Sequence, residues 1–247
     1  MANNCRLLPF DSDFKFLNEL KLFLGSTLQQ YSQDKIEWTE DELRAGVHTV
    51  LSDGRNVRIV LPKNKAETLQ LIDHVGLVLN NQEQDTKSST DGGGVIDNGK
   101  CLRFVGFIGF GRPQKETSEE FTKKLWDFDR ELIDELPRQK HIMAYVSGER
   151  EHGGNWGNLV LCNSPKALEE WSAFHYHSRA ITEISPQAYT HIRIHRGTLP
   201  EGLASDKFCV TQTIFLDYGA KCTGKFVSRK VEIWTTGESS DYLQTEQ

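Results

Sequence analysis

Disulfides, metal clusters and membrane spans have little to draw on in this sequence. Its five cysteines, Cys5, Cys101, Cys162, Cys209 and Cys222, are odd in number and scattered, with no CxxC pair. Neither a disulfide framework nor a structural zinc site is therefore indicated, and a reducing compartment fits. No apolar run approaches the roughly 20 residues of a membrane span, and the opening MANNCRLLPFDSDFK lacks the layout of a signal peptide. The expectation is a cytoplasmic protein with no membrane span. Basic residues are short too: 29 Lys and Arg face 35 Asp and Glu, for a formal charge of −6. Nucleic acid is not an expected partner, since phosphate neutralisation needs clustered cations. The motifs G-x-S-x-G and CxxCH are also missing, so neither a hydrolase nucleophile elbow nor a covalent haem attachment is signalled. What remains is 247 residues, 37% of them hydrophobic, enough to bury one large core or one domain with an extension.

The most informative stretch is 155–200, which carries His175, His177, His191 and His195 together with Trp156 and Trp171. It parses as strand, helix, strand. The run 156–162 is short and apolar and closes on Asn163-Ser164-Pro165, where Ser164 can cap a helix and Pro165 can occupy its first position. Ala167, Leu168, Trp171, Phe174, Ser178 and Ile181 then fall on one side of a helix, with His175 and His177 on opposite shoulders of that stripe. The helix is expected to end near Ser185-Pro186. Residues 189–196 alternate as a half-buried strand, with Tyr189, His191, Arg193 and His195 on one face and Thr190, Ile192 and Ile194 on the other.

Earlier in the chain, Phe14, Leu17, Leu20, Leu24, Leu28 and Tyr31 recur at helical spacing after possible caps at Asp11 and Ser12. Segments 47–51 and 57–61 flank Ser52-Asp53-Gly54-Arg55, a hairpin signal, and 65–79 reads as a second helix. Residues 81–99 are polar and Gly-rich, as expected of a flexible linker. After it come a strand over 101–110, a helix capped by Thr117 or Ser118 that runs to Pro137, and a strand over 141–147. With the stretch above, the order is βαββαβ, the split arrangement of a ferredoxin-like sandwich. Two further strands, 208–218 and 225–234, follow. The expectation is an α+β protein: an N-terminal α/β extension over 1–80, the linker, a ferredoxin-like domain over 100–236 with two extra C-terminal strands, and a disordered tail over 237–247. Gly106-x-x-Gly109-x-Gly111 has the look of a phosphate loop, but Arg112-Pro113 follows it where a helix should start; a close backbone approach is the better explanation.

The written form of the second helix, Ser-Pro-x-Ala-Leu-x-x-Trp-x-x-Phe-x-x-His over 164–177, with Trp156 in the strand before it and Ala180-Ile181 after it, resembles the dimeric α+β barrel superfamily. That group includes EthD-like proteins, antibiotic-biosynthesis monooxygenases, chlorite dismutase-like haem proteins and spheroidene-monooxygenase-like proteins. The resemblance covers about residues 101–200. It implies a homodimer, because the helix-free face of the sheet either meets a partner's sheet or lines a pocket for a small hydrophobic molecule. It also implies oxidoreductase activity of the monooxygenase kind, with haem or with no cofactor.

On the alternation above, that bare face carries His141, Met143 and Tyr145 from one strand and Tyr189, His191, Arg193 and His195 from another. Three chemistries compete for it. The resemblance makes His177 the axial ligand of a haem, with Trp171 and Phe174 as its apolar surroundings. Alternatively, His191 removes a proton while Arg193 or Tyr145 holds the developing oxyanion, with no cofactor. A non-haem metal site comes last: His175 and His177 point roughly 200° apart on an unbroken helix, and His191 and His195 lie about 13 Å apart along a strand. Against all three stand plainer readings, a hydrogen-bonded core histidine and a Tyr- and Arg-rich interface. The favoured function is a haem-dependent monooxygenase-like oxidoreductase; the alternatives are a non-catalytic haem or small-molecule sensor or carrier, and a cofactor-independent acid/base enzyme.

Overall fold

A computed structural model describes residues 10–80, 101–113, 117–206, 208–219 and 228–233, with side chains left out over 73–80. The expected linker over 81–99 and tail over 237–247 lie outside the described residues. The protein is α+β. Among the described residues, no helix is long and apolar enough to cross a membrane.

The strands β1 (Val47–Val50), β2 (Asn56–Val60), β3 (Leu102–Gly111), β4 (Ile142–Glu149), β5 (Trp156–Cys162), β6 (Tyr189–Leu199), β7 (Cys209–Asp217) and β8 (Ser228–Ile233) form one eight-stranded sheet in the order β1-β2-β4-β5-β3-β6-β7-β8. Every neighbouring pair is antiparallel. The β1–β2 hairpin turns where expected, with Gly54 at φ +87 and the Asp53 carboxylate accepting from Arg55 N–H. It is not set apart from the rest: β2 pairs with β4, so the N-terminal segment extends the same sheet. At the other end β7 and β8 extend it beyond β6.

Helices cover both faces. On one lie α1 (Asp11–Ser32) and α3 (Lys65–Asn80); on the other lie α4 (Glu119–Glu135) and the segments α5 (Lys166–Ala173), α6 (His175–Arg179) and α7 (Ser185–Ala188). A short helix, α2 (Glu40–Ala45), unforeseen from the sequence, is closed by a capping box between Thr39 and Glu42. Ser118 caps α4 as expected, accepting from Phe121 N–H. For α1 the expected caps are not used, since neither Asp11 nor Ser12 precedes it and Phe10 takes the cap position with no side-chain bond.

The α1 stripe buries Leu17, Leu20, Leu24 and Leu28 against Phe104, Ile108, Val146, Leu159 and Leu161 of the sheet. This corrects the expectation of a bare sheet face, because α1 and α3 occupy the side that was to meet a partner's sheet or line the pocket. The fit is close. A Cβ on Gly106 would lie 2.4 Å from Leu17 Cδ1, and one on Gly157 would lie 2.7 Å from Phe16 Cε1. The glycine of β3 is therefore explained by backbone approach and not by phosphate binding.

Asp13, on the buried stripe of α1, fixes where that helix sits. The side chain is fully buried and its carboxylate accepts from Arg193 Nη2 (2.7 Å), from His195 Nε2 (3.0 Å) and, more weakly, from Arg150 Nη2 (3.4 Å). His195 Nδ1 in turn lies 3.0 Å from the Thr213 hydroxyl. Phe10 and Phe14 pack on the His195 ring, and the Arg193 guanidinium lies over Phe10 and Phe110. Burial on its own would raise the Asp13 pKa, but the hydrogen bonds from His195 and Arg193 and the Arg193 charge outweigh it and hold the carboxyl below its usual 3.8.

A carboxyl depressed by folding stabilises the protein above its unfolded pKa and loses that contribution as pH falls through the folded value. Stability should accordingly drop steeply below the ordinary Asp value of 3.8. Asp13→Ala, which strands Arg193 and His195, should cost about 3–5 kcal/mol at neutral pH and flatten the acid dependence; urea titrations at a series of pH values measure both.

Candidate functional site

Between the sheet and the α4–α7 layer lies a cavity of about 220 Å³, larger than the roughly 150 Å³ hollow that admits benzene. Val105 and Phe107 of β3, Val160 of β5 and Ile192 and Ile194 of β6 form its floor. Leu125, Phe128 and Leu132 of α4, Leu168 and Trp171 of α5, and Ile181 and Ile184 form its roof. Strand alternation supplies the floor: in β5, Asn158, Val160 and Cys162 face the cavity while Leu159 and Leu161 face α1.

A few polar groups enter this apolar lining: Tyr145, Asn158, Asp129, His177 and Arg196. The Asp129 carboxylate is neutralised by two hydrogen bonds from Arg58, at 2.7 and 2.8 Å. Burial, then the Asp129 charge, pushes the Tyr145 phenol up against the opposing pull of Arg58, so it stays a neutral donor. Asn158 Nδ2 lies 3.5 Å from the Tyr145 oxygen, at the long limit of a hydrogen bond. Burial, then the nearby Arg196 cation, lowers the His177 pKa from 6.5, which favours the neutral imidazole. Tyr189, beneath which Gly109 leaves no room for a Cβ, is likewise pushed up by burial.

His177 reaches the cavity because the helix carrying it is not continuous. Expected as one helix from 165 to about 184, this segment breaks at Phe174, whose ψ of 129° is extended. The chain resumes as α6, passes through a π-helical turn at Ala180–Ile184 and ends in α7, where Pro186 lies in the first turn. Ser185 keeps a helical conformation despite the proline after it. After the break, His177 lines the cavity with its ring centroid 6.0 Å from that of Trp171, whereas His175 is exposed.

Of the residues singled out from the sequence, Tyr145, Trp171 and His177 meet in this cavity. Phe174 does not line it; its ring packs on Trp171, His175 and Tyr176. His191 and Arg193 stand on the opposite face of the sheet, where His191 stacks on Phe110 and Arg193 binds Asp13. Strict alternation had put Tyr145, Tyr189, His191 and Arg193 on one face, and two register shifts undo it. One lies in β4 between Ile142 and Ala144, which sends Met143 to the α1 side and leaves Tyr145 on the other. The second lies at Phe110/Gly111, opposite the start of β6, and separates Tyr189 from His191. Asn158, Asp129 and Arg196 were missed, although Arg196 continues the Ile192–Ile194 face and was legible from that alternation. Among the described residues, no group of three or more His, Cys, Asp or Glu side chains is placed to hold a metal ion.

No protein-family model matches the chain, and neither a curated protein nor a solved structure matches it.

Cys162 also lines the cavity, with its thiol pushed up to about 12 by burial against a smaller opposing effect of Arg103. It should remain unalkylated by iodoacetamide at pH 8 in the folded protein while the half-buried Cys101 and Cys209 react; peptide mass spectrometry of the labelled sites checks this.

Proposed function

We propose that this protein takes a small, mainly apolar molecule into the cavity between the sheet and the α4–α7 layer and performs acid/base chemistry on it without a cofactor. The observation that carries the reading is a neutral, half-buried imidazole, His177, projecting into an apolar hollow that also holds a phenol kept protonated, Tyr145. A neutral imidazole accepts a proton from an acidic C–H or O–H, and a buried phenol hydrogen-bonds the oxyanion that develops. In a reaction of the monooxygenase kind the carbanion would then add dioxygen, and the hydroperoxide so formed would lose water to leave a carbonyl, the substrate itself supplying the electrons. A carrier or sensor would stop at binding.

The topology supports a ferredoxin-like core. Strands β4-β5-β3-β6 stand in antiparallel order, with α4 and the α5–α7 segments as the two crossovers. Haem at His177 draws less support, because about 220 Å³ is below the roughly 300–1,000 Å³ of clefts for drug-sized ligands, and a porphyrin is a large guest by that standard. A homodimer would have to use a surface other than the sheet face beneath α1 and α3.

The test uses 2-tetralone, a two-ring ketone with acidic α-protons, incubated in D2O and followed by NMR. Wild type should speed α-deuteration above the buffer rate, on the order of 10²-fold or more, and His177→Asn should abolish the effect without loss of fold. The acid limb should fall below the ordinary imidazole value of 6.5, and Arg196→Gln should move it upward, because removing the cation relieves part of the depression. Deuteration at the buffer rate, or a Soret band on adding haemin that is lost in His177→Ala, would overturn the cofactor-free reading.

A further inference from the structure

Most half-buried arginines among the described residues find carboxylate acceptors; Arg103 of β3 and Arg196 of β6 do not, and of these two Arg196 lines the cavity. Arg55 pairs with Glu19 and Asp53, Arg58 with Asp129, and Arg150 and Arg193 with Asp13. Arg196 lines the cavity beside His177, yet among the described residues no carboxylate pairs with it. Its one side-chain hydrogen bond is a 3.4 Å approach of Nη1 to Gln212 Oε1, and its buried Nε, like those of Arg58, Arg150 and Arg193, has no hydrogen-bond partner. The charges near it on the sheet are cations: Arg103 stands diagonally across on β3, and Arg229, two strands away on β8, repels it. A half-buried guanidinium with a like charge nearby, an unpartnered buried Nε and no carboxylate, set beside an apolar hollow, is better satisfied when an anion completes it.

We infer that Arg196 is a specificity-determining residue for the guest of this cavity, and that the guest is a one- or two-ring apolar molecule bearing a carboxylate. The ring system fills the space over Val105, Val160 and Ile194, and the carboxylate accepts from the free edge of the guanidinium. The planar fork of arginine suits a carboxylate's two oxygens, and a lysine at this position would supply charge without that match. This rests on the cavity being the binding site, as proposed above, and adds what it selects.

The paired probes are 2-naphthoate and the neutral isostere 2-naphthamide, with affinities measured by isothermal titration calorimetry on the full chain. The wild type should bind the acid about 10–100-fold more tightly than the amide. Arg196→Gln should remove that preference, chiefly by weakening the acid, while Arg196→Lys should retain it only in part. Because Arg196 makes no ion pair, the Gln variant should keep the wild-type melting temperature, and that measurement guards against misfolding. Equal affinity for acid and amide in the wild type, or a preference that survives in Arg196→Gln, would overturn the carboxylate inference and leave the cavity reading standing. Failure of both probes to bind would overturn the cavity reading, and the carboxylate inference with it.

Discussion

The carboxylate of Asp13 is the point on which the architecture turns. It reaches from the first turn of α1 to Arg193 and His195 in β6 and to Arg150 just beyond β4. Such a buried cluster adds little net stability over well-packed apolar residues, but a partner left alone is costly, so it specifies position more than it strengthens the fold. With that contact made, the leucine stripe of α1 falls on Phe104, Ile108, Leu159 and Leu161. One face of the sheet is thereby closed by the chain's own N-terminal region. The cavity lies on the other face.

Much of this was legible in the sequence. The period of α1, the Asp-Gly hairpin, the capped start of α4 and the order of β3 to β6 were all read from spacing and turn chemistry, because each rests on local preferences. What was illegible depended on contacts distant in sequence. Nothing local announces that 11–32 returns to cover β3–β6. Asp13 and Lys21, charged residues at core positions of an apolar stripe, were the available hint: Asp13 meets β6, and the Lys21 ammonium donates to the Ser205 carbonyl. The faces of β4 and β6 were misjudged for a different reason. A single extra residue inverts all subsequent alternation, and the shifts near Met143 and Phe110 become visible only with the partner strand in place.

The same division explains the candidate site. The resemblance drew attention to His177 and Trp171, and both line the cavity. His191 and Arg193 attracted attention by their chemistry, a ring and a cation on one strand face, and they serve the docking of α1. Arg196 continues the face of Ile192 and Ile194, which lines the cavity. Arg150, Arg193 and His195 thus converge on Asp13 under α1, whereas Arg196, beside His177, has no carboxylate partner among the described residues.

The interruption at Phe174 has a consequence for the passage of molecules. The helical run from His175 to Ala188, with a π-helical turn in its middle, is at the margin of the roughly 12–15 residues at which a helix sustains itself and holds its shape through its neighbours. The sheet opposite is bonded strand to strand across its whole width. Transient loosening is therefore cheapest along residues 174–188, the wall that carries the imidazole. Were the proposed guest to enter there, it would add packing beneath that run and stiffen it.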